Sequence, residues 1–174
     1  MRMMRTRFTR TDYDALPEGF PAQLVDGMLV KEPASTYGHG RVSTRIQAAL
    51  LRFVAPDLVP APPSDVLIDD WNVFQPDVVV LREPVEDDAH YVGVPLIAME
   101  IHSPSTPERD RSVKAERLLE IGVDEVWLIE PATKTIEVRT LAGRMIARGA
   151  DAATSTSIEG FRLVPDELFS SARR

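Results

Sequence analysis

The chain predicts an α/β domain on a mixed sheet, and three features of its 174 residues lead there. Helical and strand periodicities alternate along the sequence, compact turn signals separate paired strand patterns, and no linker, repeat or low-complexity tract interrupts it. Residues 11–174 are therefore expected to form one domain behind a flexible basic arm at 1–10. At 19.4 kDa the chain buries roughly 70% of its unfolded surface, enough for a core without cross-links.

Taken in order, Thr11 opens a short helical turn with Asp12 and Asp14 at its positive end, and Pro17 stops it. Residues 22–32 read as two strands around Asp26-Gly27, a hairpin signal because both positions tolerate positive φ. Between 41 and 54, Val42, Ile46, Ala49, Leu50 and Phe53 form a helical apolar stripe, ended by Pro56. Val66–Ile68 and Val73–Leu81 follow as strands around Asp69-Asp70, then an acidic loop (Glu83, Glu86, Asp87, Asp88). Pro95 to His102 is a strand closed by Ser103-Pro104. Ser105 or Thr106 caps a helix reaching Ile121, with Gly122 as its stop. Asp124–Glu130 and Thr135–Thr140 form a second hairpin around Pro131 to Lys134. One more strand lies within Leu141 to Gly160, and Phe161–Phe169 closes the domain.

Composition excludes several kinds of chemistry. There is no cysteine, hence no disulfide framework, thiol nucleophile or Cys-ligated metal. His39, His90 and His102 are too scattered for an HExxH zinc helix. Neither GxGxxG nor GxxxxGK[ST] occurs, and Ser103 and Ser105 lack the GxSxG elbow. Aliphatic runs such as Val78–Leu81 are too short to span a membrane, and the Arg-rich start has no secretory apolar region, so a cytoplasmic protein is expected. Net charge is −7; four arginines and no acid fall within residues 1–10, leaving 16 basic against 27 acidic side chains, or −11, for the rest. A body that acidic repels polyanions unless its cations are gathered on one face.

Glu100 is the most unusual position, a carboxylate inside Pro-Leu-Ile-Ala-Met-Glu-Ile-His. Burying it alone costs several kcal/mol unless a cation or donors compensate. Strand alternation puts Ala98, Glu100 and His102 on one face, the last two roughly 7 Å apart. A strand-end salt bridge or a wet edge strand also accounts for it. Asp77 follows Pro76 and begins Val78-Val79-Val80-Leu81. Two acids at the ends of neighbouring central strands repel unless something positive lies between them, and a hard divalent cation such as Mg²⁺ suits such oxygen ligands. Lys114 forms an ordinary i,i+4 pair with Asp110, or else a site lysine: 17 of the 20 cations are arginine, only Lys31, Lys114 and Lys134 are not, and a compact ammonium suits water positioning. His39 before the first long helix reads as a cap or a ligand. Arg41, Arg45 and Arg52 line a phosphate groove or a solvated face. Trp127 is assigned to the core or a dimer contact.

Gln-Leu-Val-Asp-Gly-Met-Leu-Val (23–30), His39, Gln-Pro-Asp-Val-Val-Val (75–80), Met-Glu-Ile-His-Ser-Pro-Ser-Thr (99–106), Asp110 with Lys114, and Ile-Gly-Val-Asp-Glu-Val-Trp-Leu-Ile-Glu-Pro (121–131) together resemble the Uma-two family. Its members are labelled putative restriction endonucleases within the PD-(D/E)XK nuclease superfamily, and the similarity runs from about residue 11 to 169. The resemblance implies a restriction endonuclease-like core. It makes Asp77 and Glu100 the acids on Mg²⁺ (or Mn²⁺), the Ile101 carbonyl a further ligand, and Lys114 the motif lysine, supplied from a helix. Two departures stand out: His102 occupies the orthodox lysine position, and Gln23 replaces an auxiliary glutamate of many relatives.

These readings lead to a Mg²⁺-dependent DNA endonuclease; one small domain has no room for a separate sequence reader, so cutting both strands calls for a homodimer, the expected state, or a partner. The basic arm with Arg41, Arg45 and Arg52 would contact phosphates. The alternative is a nuclease-fold module without activity that works through protein association, favoured by Gln23, His102 and the acidic body.

Overall fold

The computed structural model describes residues 7–17, 20–31, 36–54, 58–61, 65–84, 91–102 and 108–170. The expectations for Pro56, the acidic loop around Glu86 to His90 and the Ser103 to Thr106 caps lie outside the described residues, as does the Asp110 side chain.

Among the described residues, helices α1 (Arg10–Asp14), α2 (Tyr37–Leu50), α3 (Glu108–Glu120) and α4 (Pro165–Leu168) accompany strands β1 (Ala22–Val25), β2 (Met28–Lys31), β3 (Val59–Ala61), β4 (Val66–Asp69), β5 (Asn72–Phe74), β6 (Val78–Leu81), β7 (Tyr91–Val92), β8 (Ile97–Ile101), β9 (Glu125–Glu130), β10 (Thr135–Thr140), β11 (Gly143–Arg148), β12 (Ala153–Thr154) and β13 (Arg162–Leu163). A six-stranded sheet runs β11-β10-β9-β8-β6-β3, a five-stranded one β2-β1-β5-β4-β7, and β12 pairs with β13. The larger sheet is mixed: β8 and β9 are parallel, its other pairs antiparallel. The α/β class with a mixed sheet is as the sequence predicts.

The predicted strand Val73–Leu81 is in fact two strands in different sheets, β5 and β6. Pro76 explains the break: it has no N–H for a ladder and restricts the residue before it. The chain thereby leaves the smaller sheet and restarts in the larger one, with Asp77 at the restart. Edge strand β3 contains Pro60, which a sheet tolerates only where one side is unpaired, and its apolar pattern is too short to read.

The arm does not run to residue 10. Phe8 N–H donates to the Gly27 carbonyl at 2.9 Å and Arg10 N–H to that of Asp70 at 2.7 Å, so residues 8–10 are docked on two hairpin turns. The cap of α1 is Thr9 rather than Thr11, in a capping box with Asp12. The Asp26-Gly27 turn forms as predicted, with φ of 48° and 75°.

Both faces of the larger sheet are covered. Val42, Ile46 and Leu50 of α2 pack with Val78, Val80, Ile97, Met99, Trp127 and Ile129 on one side. Ala115, Leu118 and Leu119 of α3 pack with Ala98, Val126 and Leu128 on the other. Alternation along β8 therefore turns Glu100 toward α3. Trp127 belongs to the core, fully buried and tilted against Phe161 at 5.3 Å between ring centroids. Among the described residues no helix is long and apolar enough to cross a membrane.

Candidate active site

Four elements bring their ends to one place. β6 begins just after Asp77, β8 carries Glu100 near its C-terminal end, α2 presents His39 from its first turn, and α3 reaches in with Lys114. Val78 pairs with Met99 across β6 and β8, and one more step of that register sets Asp77 beside Glu100. Convergence is direct at the backbone: Ile101 N–H, next to Glu100, donates to Asp77 Oδ2 at 2.7 Å.

Each acid also has a basic partner. His39 Nε2 lies 2.9 Å from Asp77 Oδ1, both side chains being largely buried. Lys114 Nζ lies 2.8 Å from Glu100 Oε1, with only 20% and 12% of those side chains exposed. The hydrogen bond to Asp77 raises the His39 pKa; burial opposes it, and the charges of Asp77 and then Glu100 add to the rise. One imidazole thus feels both carboxylates. Thr36 caps α2 by accepting from His39 N–H at 3.3 Å, which fixes the turn that aims the ring.

His102 extends the β8–β9 ladder, its N–H on the Ile129 carbonyl at 2.8 Å, and strand alternation keeps it on the Glu100 side. Gln23 is 1% exposed, and its Nε2 donates to the Gln75 carbonyl at 3.5 Å. Gln75 in turn bonds Asp65, which also accepts from Tyr13 Oη at 3.2 Å. Burial and the Asp65 charge push the Tyr13 phenol well above its ordinary range. Gln23 is thus joined to a partly buried polar chain that ends two residues from Asp77. The sequence reading missed Asp65 and Gln75, whose link to Tyr13 spans more than fifty positions and leaves no local pattern.

The arginines of α2 separate. Arg41 is half-buried in the first turns. Arg45 Nη1 donates to the carbonyls of Leu168 and Ser170 at 2.6 and 2.7 Å, which commits it to holding the C-terminal segment. Arg52 lies past the other end of α2, about 20 Å from His39 by helix rise.

A hard divalent cation fits this donor set. Its candidates are the oxygens of Asp77, Glu100 and the Ile101 carbonyl, two carboxylates and a carbonyl being the hard donors such an ion takes. Among the described residues no three His, Asp or Glu side chains close into a metal cage, so solvent would complete the shell, as Mg²⁺ commonly requires.

A mixed sheet with helices on both faces, two acids at adjoining strand ends and a lysine on one of them places this domain in the restriction endonuclease-like class. The chain belongs to the Uma2 (Uma-two) family, described as "Putative restriction endonuclease", whose model matches residues 10–167. It is similar to a crystal structure of a putative nuclease belonging to DUF820 from Anabaena variabilis ATCC 29413, at a TM-score of 0.80 and 19% identity over 93% of this chain and 97% of that one. That likeness establishes the fold. No curated protein matches the chain.

Proposed function

We propose that the protein is a Mg²⁺-dependent DNA endonuclease, acting in the cytoplasm as a homodimer. The observation that carries this reading is the convergence of Asp77 on the backbone beside Glu100, with Lys114 against that second acid. Asp77, Glu100 and the Ile101 carbonyl would hold the ion, which when bound lowers the pKa of a water and neutralises charge on phosphate.

The chain's own groups supply preorganisation. Asp77 is clamped from two sides, by His39 on Oδ1 and by Ile101 N–H on Oδ2, so its oxygens need no reorientation when substrate arrives. Lys114 uses one of its three donors on Glu100 and has others to orient a water or stabilise a phosphate oxygen. Hydrolysis adds a water oxygen to phosphorus, breaks one P–O ester bond and leaves a hydroxyl that takes up a proton. Lys114 and His39 bracket that region as proton-bearing groups. Dimerisation would give one site per strand, which a single domain needs to cut a duplex through.

The test is cleavage of supercoiled plasmid in Mg²⁺ or Mn²⁺ by the wild type beside Asp77→Ala, Glu100→Ala and Lys114→Ala. Nicking or linearisation by the wild type, with at least a hundredfold loss in each acid variant, supports the reading. Equal activity, or equal inactivity, in all of them defeats it.

A further inference from the structure

If α2 does not supply the grip on a polyanion, another surface must, because the molecule as a whole carries −7. Arg45 is engaged by carbonyls and Arg52 is remote. The registers of the larger sheet point elsewhere. Ile101 pairs with Ile129 in the parallel β8–β9 ladder, so His102 falls beside Glu130; Glu130 pairs with Thr135, and Thr135 with Arg148. This row runs along the sheet end that carries the acids. It has the parity of Glu100, so Arg148 emerges on the Glu100 side, about 14 Å from His102 at three strand spacings. That span equals about four nucleotides of one DNA strand.

The turn from β9 to β10 closes the same end and carries Lys134, held at φ 52°. Thr133 and Thr135 hydroxyls bond one another at 2.9 Å across this turn, which fixes its shape. Lys134 and Arg148 are both exposed, and among the described residues neither makes an ion pair. Glu130, the acid of the row, accepts from Ala132 N–H at 3.4 Å. Two of the chain's three lysines, Lys114 and Lys134, thus stand at this one end.

We infer that Lys134 and Arg148 form a phosphate-binding rim that holds the DNA backbone as it leads away from the Asp77 and Glu100 site. The inference rests on the nuclease reading above. It assigns residues that touch substrate phosphates, Arg148 about 14 Å from His102 and farther still from Asp77, and that read no bases. Their effect belongs to affinity and its salt dependence, each contact adding about 0.9 to the slope of log affinity against log salt.

The experiment is fluorescence anisotropy of a labelled 30-base-pair duplex, with Ca²⁺ in place of Mg²⁺, at salt from about 50 to 200 mM. Wild type is compared with Lys134→Glu/Arg148→Glu, with the neutral Lys134→Gln/Arg148→Gln, and with Arg144→Glu on the same strand and face four residues farther from the site. The rim predicts that the charge reversal weakens binding at least tenfold at the lowest salt. The neutral pair flattens the slope by about 2, and Arg144→Glu stays within threefold of wild type. Unchanged affinity and slope in both double variants, while wild type binds, overturn the rim and leave the nuclease reading standing. Equal loss in Arg144→Glu also overturns it, since the effect would be one of overall charge. Absence of wild-type binding also overturns the rim, and plasmid cleavage by the wild type then decides whether its premise falls with it.

Discussion

Glu125 illustrates how a carboxylate becomes structural. It is fully buried at the start of β9, yet its oxygens accept from Trp127 Nε1 at 2.9 Å, Ser155 Oγ at 3.1 Å, Thr156 N–H at 2.6 Å, Thr156 Oγ1 at 2.7 Å and Ser157 N–H at 2.7 Å. Burial pushes its pKa up, but the bonds from Thr156, Trp127 and Ser157 outweigh that and hold the carboxyl below its ordinary value of 4.5. A depressed folded pKa stabilises the protein above the unfolded value, and that stability is lost as pH falls through the folded one. Glu125→Ala strands several buried donors and is expected to cost about 3 kcal/mol in urea unfolding at pH 7. Glu125→Gln should flatten the acid limb of stability against pH below about 4.5. A wild-type acid limb in that variant would contradict the assignment. Glu100 presents the opposite case, a less deeply buried acid whose charge Lys114 answers at the edge of the site. Two glutamates in neighbouring parallel strands thus divide into a structural clamp and a candidate ligand, and only their partners tell them apart.

At the scale of elements, α2 matters through its first turn. Its apolar stripe docks on the sheet, but the orientation of His39 depends on the Thr36 cap, whose hydroxyl accepts from the His39 N–H itself. Thr36→Ala is expected to cost about 1 kcal/mol by thermal unfolding and to weaken the His39 clamp on Asp77. Unchanged stability would mean that the turn is held by other contacts. The break at Pro76 matters equally, since it ends β5 in one sheet and starts β6 in the other, and so delivers Asp77 to the strand end facing Glu100. Hairpin turns and the helix stripes were legible because their signals are local: Asp26-Gly27 needs positive φ, and Val42, Ile46 and Leu50 recur at helical spacing. The split of Val73–Leu81 was not, although Pro76 marked it, because the apolar run resumed at once. Nor was the second sheet, since strand order depends on pairings between distant segments. Within the site, the residue types were legible as misfits, a glutamate in an apolar strand and a lysine in an arginine-rich chain. Their partners were not: Glu125 looked like the acidic start of a hairpin, and Arg45 like a free surface cation.

For the whole molecule, the balance of charge sets the problem that function must solve. An acidic body has to admit a polyanion at one end of one sheet, and the same end holds two carboxylates that repel both each other and phosphate. Lys114 and His39 reduce that repulsion without a metal, and a divalent cation would reverse it locally. The account therefore stands or falls on whether Asp77 and Glu100 act on one ion together. Isothermal titration calorimetry of Mn²⁺ into the protein tests this most directly, with Asp77→Ala and Glu100→Ala beside the wild type. The prediction is a heat of binding to one site per chain, abolished by either substitution alone. A wild type that takes up no metal, or a variant that binds it as the wild type does, would contradict the account.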